Sequence, residues 1–226
     1  MELLDEDDTL LSTSAAHIIA FMFSQHSELV KHHVVGPIQS ALCPQVDASQ
    51  PKPGDLLLED EALRRSLRKL QLIVSVPSPV LTSAILSPVL FTLFLLSVYT
   101  HGTHHIQLRA HVTELLDSYV TSSSSPVNAI LDLTQKMLVS TQSLGWQFVA
   151  GDTGGIAIRA SSETVTGSGL DEIQMRVEVI MEILDKAPEY VKAESFIWVM
   201  RHWLHSKSTS DPMRFVFLEL ILIAAH

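Results

Sequence analysis

The chain has 226 residues, a formal net charge of −10 and a single cysteine, Cys43. An acid-rich surface repels phosphate backbones and argues against nucleic-acid binding. One thiol excludes an internal disulfide framework and suits a reducing compartment. Charged residues make up only 18% of the chain, below the usual quarter, so much of the surface must be buried in lipid or against neighbouring segments.

The length allows one large or two small domains. Asparagine is almost absent (Asn128 alone) and apolar runs are long, which points to helices. Glu2, Asp5, Glu6, Asp7 and Asp8 make an acidic, solvated start with no basic n-region, unlike a secretory or organellar leader. Asn128 is followed by Ala129 and Ile130, so there is no glycosylation sequon. These features predict a cytoplasmic chain.

In chain order, caps and periodicity predict helices over residues 13–23 and 27–42. "CPQVDASQPKPGD" (43–55), with three prolines, reads as a linker. Helices follow over 59–76, 79–99, 103–120 and 126–139. Leu63, Leu67, Leu70 and Val74 stripe the first of these, and Leu108, Val112, Leu115 and Tyr119 stripe the third. Ser125 and Pro126 suit the N-cap and N1 positions of the fourth; Ser125-Pro126 would also suit a proline-directed kinase.

Between the two striped helices lies "SPVLTSAILSPVLFTLFLLSVYT" (78–100), which has no ionisable residue. Its length and hydropathy are those of a membrane span over 81–99, with Arg64, Arg65, Arg68 and Lys69 marking the cytoplasmic side. Pro79 suits a helix start and Pro88 a kink two turns in, which either environment tolerates. The one-faced helices on both sides favour a buried middle layer of a helical stack. The span stays open as the alternative.

"WQFVAGDTGGIAIRAS" breaks the helical rule. Alternation at Trp146, Phe148 and Ala150, then at Ile156, Ile158 and Ala160, brackets a glycine turn and predicts a β-hairpin at about 146–160. A lone hairpin is unstable in water, so it must pack on the helices or on a partner. A polar loop follows, then helices over 170–187 and 189–205. Asp211 and Pro212 open a last helix that is apolar on nearly every face, which leads us to expect a piece of a longer protein.

Helix pairs start 44 residues apart, at 59 and 103 and again at 126 and 170. That matches the period of HEAT and armadillo arrays. The expected fold is therefore all-α, a HEAT/armadillo-like α-solenoid of antiparallel helix pairs with one inserted hairpin. Its expected divisions are N-terminal helices (1–43), a Pro-rich linker (44–58), and repeats over 59–226, truncated at the C-terminus.

Four groups of residues could carry chemistry. His101, His104, His105 and His111 lie near one helix start, and His202 and His205 sit three apart; a zinc enzyme could be built from such groups. The nearest acid is Glu114, no carboxylate sits at zincin spacing, and capping or solvated histidines account for them. "GDTGG" lacks the Lys-Ser/Thr of a P-loop. Cys43 stands beside Pro44 with no evident base, and Asp171 and Glu172 are explained by the dipole of the helix they open. No catalytic, cofactor-binding or metal residue is expected, and no cofactor.

Four stretches, in order, carry a resemblance: "AILSPVLFTLFLL", "HHIQLRAHVTELLDSYV", "WQFVAGDTGGIAIR" and "QMRVEVIMEILD". Together they resemble the middle region of the transport and Golgi organisation protein 6 family, over about residues 63–204. The resemblance implies a long HEAT-repeat adaptor without catalysis, whose fungal relatives act in RNA polymerase II assembly and nuclear import. Its implied partners are polymerase II subunits or transport and coat components. Its implied location is cytoplasmic, shuttling to the nucleus or associated with the Golgi. The matched positions are core and turn positions, so no functional residue carries over.

Overall fold

The computed structural model describes residues 4, 9–44, 52–101, 103–122, 126–139, 145–152, 154–161 and 170–205. Ser125, the polar loop after the hairpin and the expected last helix lie outside them. Helix α1 (Thr9–Gln25) is longer than expected, because no glycine or proline interrupts the chain before it ends. It buries Ala15, Ala16 and Phe23, while Ile18 and Phe21 face outward.

The helical run over 27–42 forms, but not uniformly. It comprises α2 (Ser27–Val30), a π turn (Lys31–Val35) and α3 (Gly36–Leu42). Pro37 is the physical reason: it has no N–H to give, and its ring would crowd the carbonyl four residues back. The wider turn lets the Gly36 N–H bond the Lys31 carbonyl, five residues back. A Cβ on Gly36 would stand only 3.3 Å from that same oxygen.

Helix α4 (Asp60–Val74) buries Leu63, Leu67, Leu70 and Ile73; Val74, expected in the stripe, is half-buried. The charge-free stretch becomes α5 (Pro79–Leu86), a 3-10 turn (Ser87–Val89) and α6 (Leu90–His101), broken at Pro88 as its ring requires. Although long and apolar enough to cross a membrane, it has 61% of its apolar window buried inside the protein. Leu93 and Phe94 are wholly enclosed. The buried Thr100 hydroxyl donates to the Leu96 carbonyl at 2.9 Å, so this polar group is not left unpaired.

The stack continues with α7 (Ile106–Ser122), α8 (Pro126–Val139), α9 (Leu170–Lys186) and α10 (Glu189–His205). Helix α4 packs between α1 and α7, and α6 between α7 and α9; α10 lies on α8. The starts of α4 and α7, and of α8 and α9, keep nearly the interval expected for repeats. Arg109 pairs with Glu182, and Lys186 Nζ reaches Asp117 Oδ2 at 2.6 Å. Residue numbers rise together in these two pairs, so α7 and α9 run side by side in the same direction. Parallel neighbours of this kind are what stacking of successive repeats produces.

The expected hairpin forms as β2 (Trp146–Ala150) and β3 (Ile156–Ala160), antiparallel, with Phe148 opposite Ile158. A third strand was not foreseen. Leu56–Leu58, read as the end of the linker and here labelled β1, pairs with β3 and makes the order β1-β3-β2. Central β3 buries Ile156 and Ile158 completely and packs on α4. The Phe148 ring lies 5.9 Å from that of Tyr99 on α6 and 5.3 Å from Trp146. The sheet is thus pinned to the stack at both α4 and α6.

Candidate functional site

The four clustered histidines point different ways. His101 Nε2 meets Glu178 Oε2 of α9 at 3.0 Å. His105 instead acts on Asp60 at the start of α4, and His104 and His111 are exposed. Among the described residues, no group of three or more His, Cys, Asp or Glu is arranged to hold a metal ion.

The glycine turn is occupied from within. The Gly151 N–H donates to the Gly155 carbonyl at 2.8 Å and the Gly154 N–H to the Gly151 carbonyl at 3.0 Å, closing the hairpin. Gly154 takes φ +85°, a conformation that favours glycine. Gly155 is required for a different reason: a Cβ there would lie 2.1 Å from the Asp60 carboxyl carbon. That close approach lets the Ile156 N–H donate to Asp60 Oδ1 at 2.9 Å, while Arg64 Nε donates to Oδ2 at 2.8 Å. Burial would raise the Asp60 carboxyl, but the bonds from Arg64 and Ile156 and the charges of Arg64 and His105 outweigh it and hold it below its ordinary 3.8. A bound anion is therefore not needed to explain "GDTGG"; the chain supplies its own carboxylate. Sequence reasoning missed Asp60 because an acid in the first turn of a helix looks sufficiently explained by the dipole.

Cys43 is half-buried, with its sulfur 2.9 Å from Thr92 Oγ1. Burial pushes the thiol above its ordinary 9.0, although the Thr92 hydrogen bond works the other way. A raised thiol is poor in thiolate and a weak nucleophile.

A further candidate is a cleft of about 450 Å³ between α8, α9 and α10. Its walls are mainly apolar, with Ile130, Ile180, Leu184, Phe196 and Val199 among them, and Asp185, Glu189 and Lys192 also line it. Lys192 Nζ bonds Glu189 Oε1 at 3.0 Å. Ser195 is buried on the inner side of α10, and its Oγ has no hydrogen-bond partner among the described residues. The geometry offers apolar contact and one free hydroxyl, which suits binding. The signal in the sequence was faint: α10 mixes apolar and charged residues around its whole circumference, so no stripe marks the cleft side.

A family model described as "Transport and Golgi organization protein 6 homolog, ARM-like repeat" matches residues 1–189. The match takes in the N-terminal helices, which the four resembling stretches leave out. No curated protein and no solved structure matches the chain.

Proposed function

This chain belongs to the transport and Golgi organization protein 6 family through its ARM-like repeat, and from that premise we propose that it is a non-catalytic scaffold that binds other proteins. The observation that carries this reading is the direct tying of one repeat to the next, through Arg109–Glu182 and Lys186–Asp117. Such a stack keeps a long surface in fixed register, and a long surface is what a scaffold offers an extended client. Clients would be RNA polymerase II subunits in assembly and nuclear import, or transport and coat components between the ER and the Golgi. The scaffold would work from the cytoplasm, shuttling to the nucleus or associating with the Golgi.

The test is capture by the purified full-length chain. Retention of a polymerase II subunit or of a coat component supports the corresponding role; retention of neither overturns the client assignment.

The alternative, a membrane protein spanning at about 81–99, draws on the length and apolarity of Pro79–His101. Burial of α6 between α7 and α9 supports the core role instead. Alkaline carbonate extraction separates the two: release from membranes fits a core helix, and resistance fits a span.

A further inference from the structure

The cleft between α8, α9 and α10 combines three features. First, Phe196 forms part of its wall yet keeps 44% of its surface exposed, and the apolar surface continues onto Ile197. Second, Ser195 is 2% exposed with an unpartnered Oγ. Helical Ser and Thr hydroxyls usually bond the carbonyl one turn back, as Ser118, Thr121 and Thr134 do here. Ser195 does not, and a buried hydroxyl left unpaired is unfavourable until something bonds it. Third, the acids outnumber the bases: Asp185 and Glu189 line the cleft with Lys192, which Glu189 already holds.

We infer that this cleft receives one amphipathic helix of a partner protein, its apolar side chains at i, i+3/i+4 and i+7 seated on Phe196, Val199 and Ile180, and its flanks carrying lysine or arginine. The inference rests on the scaffold reading and names the class of client segment. A helix fits because the walls are themselves helices, and ridges of side chains three and four apart interdigitate between two of them. Basic flanks fit because the cleft's acids and the net charge of −10 both attract them. A hydroxyl or amide side chain on the incoming helix would pair with Ser195 Oγ.

The test uses the full chain and a synthetic helix of about 18 residues, five turns, with leucine along one stripe and lysine opposite. A counterpart carries glutamate in place of every lysine. Fluorescence polarisation should show the lysine peptide binding about tenfold more tightly than the glutamate peptide, with about tenfold loss in Ala193→Trp, which fills the cleft from an exposed position. Phe21→Ser, on the outward face of α1, should leave binding unchanged; both variants are checked for native circular dichroism. Equal binding of the two peptides, or an unaffected Ala193→Trp, overturns the inference. A photocrosslinker placed at Ala193 gives the second readout. Crosslinks to the lysine peptide support the inference, whereas crosslinks to residues 206–226 of the same chain or to a second copy give the cleft another occupant and overturn it. If Ala193→Trp still captures a polymerase or coat subunit, the cleft is excluded as the seat of that client and the scaffold reading survives. If the wild-type chain captures none, the scaffold reading itself fails.

Discussion

Two long helical stretches among the described residues, α1 and the run α5–α6, contain no Asp, Glu, Lys or Arg. By composition they are alike, and either could be read as a buried rod. The structure treats them differently. Leu93 and Phe94 are fully enclosed, while Phe21 of α1 is 68% exposed. The difference lies in the neighbours: α6 has α7 on one side and α9 on the other, whereas α1 packs chiefly on α2 and α4. An apolar sequence states what a helix tolerates, and its place in the stack determines how much of that is used.

The comparison can be broken by truncating both helices. Phe94→Ala should cost about 3–5 kcal/mol, the range for a buried aromatic leaving a cavity. Phe21→Ala should cost no more than about 0.5 kcal/mol, as surface changes do. Urea unfolding of both variants checks the pair. Equal losses would mean that the outward face of α1 is covered in solution.

A smaller effect is expected at the sheet. Gly155→Ala drives a methyl group into the Asp60 carboxylate, which must swing away and leave the Ile156 N–H unpaired. The expected cost is roughly 1–3 kcal/mol, that of an unsatisfied buried donor. In an Asp60→Ala background the same substitution should cost little, and the double-mutant cycle measures the coupling.

Acidity probes the same contact more gently. The folded carboxyl of Asp60 lies below its ordinary 3.8, so it binds its proton less readily folded than unfolded. Its stabilisation is therefore present above that ordinary value and is lost as pH falls through the lower, folded one. The stability gap between wild type and Asp60→Asn should be full near neutrality and close in strong acid, as pH-dependent unfolding would show. The mildest probe is alkylation of Cys43, whose raised thiol should react more slowly with iodoacetamide in the folded chain than in urea.

Most of the helices were legible in the sequence because each is punctuated locally, as with Pro79, Pro126 and Pro188, and striped at helical spacing. The hairpin was legible from alternation around its glycines. β1 was not: three leucines are too few for a period, and they become a strand only through partners about a hundred residues away. Asp60 was hidden for the same reason, since its partner Ile156 is 96 positions on. The α8–α10 cleft is a product of three helices meeting, and no single segment records it.

The π turn at Lys31–Val35 has a consequence for how this chain can change. A turn holding one extra residue works as an insertion stored inside a helix, and removing it would restore the ordinary pitch. If the same residues wound at the ordinary pitch with none removed, every position downstream would rotate by about 100° around the axis. Ile38 and Leu42, now buried, would swing off the core face. A one-residue deletion within residues 31–35 would instead remove the stored residue and leave Ile38 and Leu42 on the core face, whereas the same deletion in the middle of α4, which has no such turn, would carry every later position of that helix about 100° off register.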